Sequence, residues 1–257
     1  MNLQLKNQLF IVGGATSGFG KAITQQLLTE GARVIAIART ASSLAELYAE
    51  NPFVHCVVAD VGVDTNTAIE ACKKYIGNQQ LHGIVMNAGG PPAKTVLETT
   101  LADWDHAYQL LLRWKVAFTQ AFIPQMIESG YGRIVYIESY TVKQPAENLV
   151  LSNSLRAAVV GMVKTLAQEI AKSGITLNIM GPGSHNTPAI NRIYHKKAEQ
   201  TGQTFEEVKA AAISQIPVGA LGEADDFASL ALWLLSPHSR YITGQTITVD
   251  GGAIKGV

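Results

Sequence analysis

Seven short apolar segments, rich in β-branched residues, alternate along the chain with longer segments of helical periodicity. The apolar segments are residues 9–12, 33–38, 54–59, 83–86, 133–137, 176–180 and 246–249. Each is apolar on both faces, which is typical of strands in a parallel sheet that helices cover on both sides. No repeat or linker interrupts residues 1–257. The pattern predicts an α/β fold of one domain, with a doubly wound parallel sheet of about seven strands.

One long polar segment, residues 183–218, stands where a short connection between the last two strands is expected. It carries the adjacent lysines Lys196 and Lys197. A long insertion in a compact domain is commonly functional, often as a lid over a site. We therefore expect a substrate lid within the single domain.

The charge balance argues against two classes of partner. Twenty Lys and Arg residues match twenty Asp and Glu residues, and charged residues make up only 16% of the chain. Without a net positive field, binding to nucleic acid or to an acidic membrane surface is not expected. A small-molecule partner is not affected by this argument.

The cysteines and the N-terminal residues predict a cytoplasmic protein without a bound metal. The two cysteines, Cys56 and Cys72, lie outside any CxxC or His/Cys cluster, so we expect buried thiols in a reducing compartment. The first apolar run is far too short for a membrane span, and no basic segment with a small-residue cleavage site precedes the domain.

A glycine-rich loop, GGATSGFG at residues 13–20, follows the first predicted strand and precedes a helical pattern. Gly14, Gly18 and Gly20 would let the backbone turn tightly and approach a pyrophosphate at the helix N-terminus. The alternative is an ordinary tight turn without a ligand, because glycine serves such turns too. The loop residues predicted to contact a cofactor are Gly14, Thr16, Ser17, Gly18 and Phe19.

The end of the second predicted strand indicates which dinucleotide would bind. No acidic residue stands there to accept hydrogen bonds from a ribose 2′-hydroxyl; Arg39 and Thr40 stand there instead. A guanidinium suits a 2′-phosphate, which favours NADP(H) over NAD. The alternative for Arg39 is a solvated surface arginine.

Two further groups of residues lie where the third and fourth predicted strands end. They are Asp60 with Val61, and Asn87 with Ala88 and Gly89. Doubly wound sheets bind ligands at the carboxyl ends of their strands, so we include all five in the predicted cofactor site.

With these residues in place, the chain resembles the classical short-chain dehydrogenase/reductase family over essentially its whole length. The matching pieces are GGATSGFG for the family's TGxxxGxG, Asp60, MNAGG for NNAG, the long helix at 104–126, GRIVYIES, MGPGSHNT for PGxxxT, and ITGQTITVDGG near the end. Several motifs in the right order make the resemblance specific.

The resemblance implies a seven-stranded Rossmann sheet with NADP(H) lying over the carboxyl ends of the strands. It also implies that Asn87, Ala88 and Gly89 line the adenine-ribose side of the cofactor, and that the 183–218 segment covers the substrate. The residues it places near the nicotinamide are Pro182, Gly183, Ser184 and Thr187. Members of the family are commonly oligomeric, so a homodimer or homotetramer is expected.

The catalytic positions of the family are only partly matched. Ser139 fills the family's serine position, but the tyrosine position is Ser152 and the lysine position is Arg156. The family's helix asparagine is replaced by Leu111. The chain thus carries Ser-x-x-x-Arg where Tyr-x-x-x-Lys is expected, and the three changes fall on one proton route.

These changes affect proton transfer more than binding. A serine hydroxyl is a far weaker acid than a tyrosine assisted by lysine, and arginine does not shuttle protons near neutral pH. Arg156 nevertheless keeps a positive charge and a fork of donors, which could hold the nicotinamide ribose and stabilise an oxyanion. Ser139, Ser152, Arg156 and Tyr140 are the catalytic candidates.

Other residues could replace the missing tyrosine as proton donor, but each also has an ordinary structural interpretation. The tyrosine spacing of enoyl reductases falls on Leu149, which excludes that variant. Tyr140 follows Ser139 directly, but strand alternation would point it away from Ser139 unless the chain turns there. The candidates in the lid are Tyr194, His185 and His195, and the favoured interpretation of each is an ordinary polar residue. The charges near the entrance, read as solvated, are Glu138, Lys143 and Glu147.

The first functional hypothesis is an NADP(H)-dependent oxidoreductase that interconverts a carbonyl and an alcohol on a small or acyl-thioester-like substrate. Ser139 and Arg156 would stabilise the oxyanion, and the proton would come from water held by Ser152 or from a lid residue. The alternative is a catalytically impaired NADP-binding sensor or partner protein. A dehydratase or isomerase that uses the nucleotide structurally has no positive support in the sequence.

Overall fold

A computed structural model describes residues 1–256 and confirms the predicted sheet. Seven parallel strands follow the order β3-β2-β1-β4-β5-β6-β7. The strands are β1 (Leu9–Gly13), β2 (Arg33–Ala38), β3 (Val54–Val58), β4 (Gly83–Met86), β5 (Gly132–Ile137), β6 (Ile175–Pro182) and β7 (Thr246–Val249). The chain order reverses at β1, which lies between β2 and β4. The carboxyl ends of β1 and β4 therefore flank the switch point at which such sheets bind ligands.

Helices cover both faces of the sheet. They are α1 (Gly18–Thr29), α2 (Ala41–Tyr48), α3 (Thr65–Ile76), α4 (Leu101–Tyr108), α5 (Trp114–Ser129), α6 (Val150–Glu169), α7 (Pro188–Thr201), α8 (Phe205–Ile213) and α9 (Ala224–Leu235). A π-helical segment, Gln109–Arg113, joins α4 to α5 without a break. Short 3₁₀ turns complete several of the remaining connections.

The sheet has a hydrophobic core on each face. Ile11 belongs to the core under α5 and α6, where it shares a cluster with Phe118 and Val163. Val12, the next residue along β1, belongs to the opposite core with Ile23 of α1 and Phe227 of α9. Successive side chains of a strand point to opposite faces, so a strand buried on both faces must be apolar at every position. This explains the uninterrupted apolar runs of the sequence.

The segment 183–218 follows β6 at the carboxyl edge of the sheet and contains α7 and α8. Three of its buried side chains, Tyr194, Ala198 and Val208, form a small core of their own. A local core lets a segment keep its shape while its contacts with the main domain remain few. The role of the segment as a lid stays a prediction.

Two features are absent from the described residues, 1–256. No helix among them is long and apolar enough to cross a membrane, and no group of three or more His, Cys, Asp or Glu side chains is placed to hold a metal ion. Both cysteines are free. Cys72 is buried, but Cys56 is only half-buried, because β3 is an edge strand, so the expectation of two buried thiols is wrong for Cys56.

Candidate active site

The glycine-rich loop turns sharply between β1 and α1. Gly14 and Gly18 have φ values of +62° and +50°, a region that L side chains rarely adopt. A Cβ on Gly20 would lie 2.3 Å from the carbonyl oxygen of Gly14, so only glycine fits there. Helix α1 begins at Gly18, with Ser17 as its N-cap residue. The free backbone N–H groups of this helix start lie beside the loop, as an anion-binding turn requires.

The turn after β6 faces this loop. A Cβ on Gly18 would lie 3.6 Å from Cγ2 of Thr187. The ring of Phe19 packs edge-on against His185, with centroids 5.0 Å apart, and against Phe227 at 4.2 Å. The fold thus brings the GGATSGFG and PGSHNT motifs into contact at the carboxyl ends of the strands. The Phe19 side chain is used in packing.

Arg39 extends from the end of β2 into solvent. Its side chain is 76% exposed, and Nη1 lies 3.7 Å from Oδ2 of Asp60, at the end of β3. The other carboxylate oxygen of Asp60 accepts a hydrogen bond of 3.0 Å from the Gly62 N–H. Asp60 is therefore held by its own loop, while Arg39 is free to turn towards a ligand. The neighbouring Val61 is buried in the core, and Thr40 is the N-cap residue of α2.

Asn87, after β4, supports the glycine loop from the other side of the switch point. Its Nδ2 donates a 3.1 Å hydrogen bond to the carbonyl oxygen of Gly13. Ala88 packs partly against the core, and a Cβ on Gly89 would meet nothing within 4 Å. A ligand could therefore lie against Gly89 without displacing protein atoms.

Ser139 lies two residues after β5 and is the N-cap residue of a 3₁₀ turn over Tyr140–Val142. Its Oγ accepts hydrogen bonds from the backbone N–H of Thr141 at 3.2 Å and from Oγ1 of Thr141 at 3.0 Å. The chain thus turns directly after Ser139, which removes Tyr140 from the alternation of the strand. Tyr140 is half-buried, and its pKa is raised above the ordinary value by burial and by the neighbouring Tyr194 and Asp250. A raised pKa makes this phenol a weaker acid.

Two of the three lid residues that could act as acids, His185 and Tyr194, are buried. His185 is 3% exposed, its Nδ1 lies 3.1 Å from the Gly183 carbonyl oxygen, and burial lowers its pKa. Tyr194 is 5% exposed, and its hydroxyl has no hydrogen-bond partner among the described residues. His195 stacks on Phe205, with ring centroids 4.4 Å apart.

Ser152 and Arg156 lie one turn apart on the same face of α6. Nε of Arg156 donates a 3.0 Å hydrogen bond to Oγ of Ser152. Nη1 donates to the carbonyl oxygens of Ile137 at 3.3 Å and Glu138 at 3.0 Å, and to Oε2 of Glu138 at 3.1 Å. The third nitrogen, Nη2, lies 3.3 Å from where a Cβ on Gly90 would be. It makes no hydrogen bond within residues 1–256, so one NH₂ group of Arg156 is available to a ligand.

The expectation that Glu138 is solvated is wrong. Its carboxylate is fully buried and pairs with Arg156 of α6 and with Nζ of Lys115 of α5. The burial of Glu138 could not be predicted because the residue directly follows β5, where a solvated loop entrance is expected. In the structure, the tight turn at Ser139 follows the strand instead. Lys143 and Glu147, by contrast, are exposed.

Lys115 is the functional candidate that the sequence reasoning missed. The residue is 1% exposed and is surrounded along α5 by Trp114 and Phe118, both buried. Burial lowers the pKa of Lys115 to about 8; the Arg156 charge acts in the same direction, and the Glu138 charge opposes it. The available signal was a lysine on an apolar helix face, one turn after Leu111, which is itself 1% exposed in the π-helical segment.

A separate cleft of about 690 Å³ opens beside the first turns of α6. Its lining includes Thr95, Pro145, Asn148, Asn153 and Ala157, but not Ser139, Ser152 or Arg156. It therefore does not coincide with the region where the glycine loop meets Thr187.

The chain is similar to known reductases and dehydrogenases over nearly its whole length. A family model described as Enoyl-(Acyl carrier protein) reductase matches residues 14–253. The 3-oxoacyl-[acyl-carrier-protein] reductase FabG of Aquifex aeolicus is 30% identical over 98% of this chain and 99% of its own length. The 7alpha-hydroxysteroid dehydrogenase of Bacteroides fragilis is 31% identical over 97% of this chain and 95% of its own.

Among solved structures, the L-sorbose reductase of Gluconobacter frateurii, complexed with NADPH and L-sorbose, superimposes with a TM-score of 0.92. It is 25% identical, and the superposition covers 100% of both chains. The fold, the order of the motifs and these relatives together show that the chain belongs to the short-chain dehydrogenase/reductase family of oxidoreductases.

Proposed function

We propose that this protein is an NADP(H)-dependent oxidoreductase that interconverts a carbonyl and an alcohol on a small or acyl-thioester-like substrate. The observation that carries the proposal is the apposition of Gly18 and Thr187 across the carboxyl ends of the strands. It brings an anion-binding helix start and the β6–α7 turn together at one edge of the sheet. The NADPH complex of the similar L-sorbose reductase supports the same cofactor.

The residues present fit a dinucleotide with a 2′-phosphate. Gly14 and Gly18 provide a backbone that can approach a pyrophosphate, and the exposed guanidinium of Arg39 can reach a 2′-phosphate beyond β2. When bound, NADPH supplies a hydride from its nicotinamide ring. The other residues that we assign to the cofactor are Thr16, Ser17, Phe19, Thr40, Asp60, Val61, Asn87, Ala88, Gly89, Arg156, Pro182, Gly183, Ser184 and Thr187.

The chain's own groups would stabilise the substrate oxygen. The Ser139 hydroxyl accepts two hydrogen bonds from Thr141, so its own hydrogen is free to donate. The Ser152 hydroxyl accepts from Arg156 and is free to donate in the same way. Together with Nη2 of Arg156, these groups would bind an oxyanion, and preorganised donors of this kind carry a large share of the barrier reduction in many enzymes. The proton would reach the oxygen from water held at Ser152.

The test is NADPH oxidation by the purified protein, followed by absorbance with ketones, acyl thioesters and sugars, and with the corresponding alcohols and NADP⁺. We expect turnover with at least one substrate and its loss in Ser139→Ala. NADPH binding without turnover on any substrate would exclude the oxidoreductase.

The second candidate is an NADP-binding sensor or partner protein. The observation in its favour is the proton-donor position: Ser152 is bonded to a guanidinium, and the nearby phenol of Tyr140 has a raised pKa. In cells, a phenotype that survives Ser139→Ala but is lost in Arg39→Ala would favour binding without chemistry. The reverse pattern would favour the enzyme.

Two further expectations belong to the same proposal. The 183–218 segment would close over the substrate, and the chain would form a homodimer or homotetramer. Protease protection of the segment by NADPH with substrate tests the first expectation. Light scattering of the purified protein tests the second.

A further inference from the structure

Lys115, Glu138 and Arg156 form a buried cluster of charges contributed by α5, the end of β5 and α6. The side chains of Lys115 and Glu138 are 2% and 0% exposed, and that of Arg156 is 10% exposed. Lys115 pairs with Oε1 of the carboxylate and Arg156 with Oε2, so the two cations share one anion. The cluster carries one net positive charge when all three groups are ionised.

Burying three charged side chains costs free energy, so the hydrogen bonds that compensate for this cost show what the cluster does. Removing charges from water costs several kcal/mol for each ion unless good hydrogen bonds compensate. A neutral Arg156–Glu138 pair would suffice to satisfy both partners; Lys115 adds a second cation with no second anion. Two uncharged groups lie near the cluster: the Tyr136 hydroxyl, 2.9 Å from Oγ1 of Thr119, and the Trp114 ring, 5.7 Å from Nζ of Lys115. Hydrophobic packing does not require a charged side chain at position 115.

The cluster determines how Arg156 is presented to the site. Glu138 holds Nη1 through its carboxylate and its carbonyl oxygen, and Ser152 holds Nε. These contacts fix the plane of the guanidinium and leave Nη2 on the side of Gly90. Because Lys115 occupies the other oxygen of the carboxylate, Glu138 neutralises Arg156 only in part.

We propose that Lys115 and Glu138 are positioning residues of this site, which together fix the guanidinium of Arg156 and maintain the positive charge that it presents to cofactor and substrate. The inference rests on the proposed function. With Lys115 protonated, the cluster is positive at Nη2. With Lys115 neutral, Glu138 balances Arg156 and the attraction for an anionic ligand weakens.

The first test measures the dissociation constant of NADPH by fluorescence for Arg156→Met, Lys115→Met/Glu138→Gln and the triple variant. The double variant removes both charges at once and avoids two unbalanced buried cations. We expect Arg156→Met to weaken binding about tenfold. The double variant keeps the net positive charge on Arg156 but no longer fixes its guanidinium, so it should weaken binding by a smaller factor, and the triple variant should bind no more weakly than Arg156→Met. Lys164→Met, on the exposed face of α6, is the matched control and should bind as the wild type does. Wild-type affinity in the double variant, or losses that multiply in the triple variant, would overturn the proposal.

The second test uses pH and conservative replacement. We expect the wild-type affinity for NADPH to fall as pH rises through about 8, where burial places the pKa of Lys115. Lys115→Met should remove this step, and Lys115→Arg should remove it while keeping the high affinity of the low-pH form. A step of unchanged size in Lys115→Met would contradict the proposal, since a purely structural lysine would not alter the pH profile.

A third readout does not depend on NADPH at all. In protein labelled with ¹³C at the lysine ε-carbons, the signal missing from Lys115→Met identifies Lys115. It should titrate below the other lysines, and Arg156→Met should raise its pKa by removing a like charge. If NADPH fails to bind, the proposed function fails while this result stands; if Lys115 titrates like an exposed lysine in both proteins, the positioning proposal fails by itself.

Discussion

Lys115 and Glu138, which lie 23 residues apart in the chain, form a buried ion pair between α5 and the end of β5. Burial lowers the pKa of Lys115 from 10.5 to about 8. In the unfolded chain the amine keeps its proton up to higher pH, so between about pH 8 and 10.5 the unfolded state binds more protons. The contribution of Lys115 to the free energy of unfolding therefore rises with pH in that window and is constant below it.

This predicts a pH-dependent difference between wild type and Lys115→Met. Urea unfolding at pH 7.5 and 9.5 measures the free energy of unfolding of both proteins. The difference, wild type minus variant, should be larger at pH 9.5 by on the order of 1–2 kcal/mol. Titration of all other groups cancels in the comparison. An identical difference at both pH values would mean that Lys115 has an ordinary pKa in the fold.

Gly20→Ala should distort the glycine-rich loop. The added Cβ would meet the carbonyl oxygens of Gly14 at 2.3 Å and Gly13 at 2.7 Å, and backbone atoms cannot move aside cheaply. We expect a loss of about 1–3 kcal/mol in stability together with loss of NADPH binding.

Gly161→Ala is the matched control, because a Cβ there meets nothing within 4 Å. It lies inside α6 and should raise stability by up to about 1 kcal/mol, since alanine is the better helix former. Equal effects of the two substitutions on NADPH binding would contradict the role of the loop.

Arg39→Ala should reduce the affinity for NADPH without reducing the affinity for NADH. The guanidinium is exposed and paired with Asp60 only at 3.7 Å, so it can turn to a 2′-phosphate at little cost. Loss of its charged hydrogen bonds, worth about 1.5–3 kcal/mol, corresponds to a roughly 10- to 100-fold weaker complex. Calorimetric titration with both cofactors measures this, with Arg240→Ala as an exposed-arginine control. An equal loss for NADH would argue against recognition of a 2′-phosphate.

Tyr194→Phe should preserve or increase stability. The hydroxyl is buried without a hydrogen-bond partner in the described part of the chain, and such a group costs about 1–3 kcal/mol. Tyr136→Phe is the contrasting variant, because that hydroxyl is bonded to Thr119 at 2.9 Å; we expect it to lose about 1 kcal/mol. Thermal unfolding of both variants checks the pair. A clear destabilisation by Tyr194→Phe would reveal a partner for the hydroxyl.

The sheet and the glycine-rich loop could be predicted because their signals are local. A strand buried on both faces must be apolar at every position, and a loop that admits only glycine must show glycine; neither requirement depends on distant residues. The segments 9–12 and 246–249 therefore correspond to β1 and β7 within one residue. Ser139, Ser152 and Arg156 were located in the same way, by motif and spacing.

Other features could not be read from spacing. Whether Tyr140 leaves the alternation of β5 depends on the 3₁₀ turn that Ser139 starts, and this turn is stabilised by contacts with Thr141. The predicted role of Arg156 at a ligand stays a prediction, but spacing could not show that three of its four hydrogen bonds go to Ile137 and Glu138 and leave only Nη2 free.

By itself, the sequence determined the fold class, the position of the glycine-rich loop, and the presence of Ser-x-x-x-Arg where the family has Tyr-x-x-x-Lys, because each is encoded in neighbouring residues. Only the tertiary structure decided that Glu138 is buried and that Lys115 reaches it. The free energy of a charged side chain depends on its solvent and its partners, and here the partners come from three separate elements that meet only when the sheet and its helices are packed.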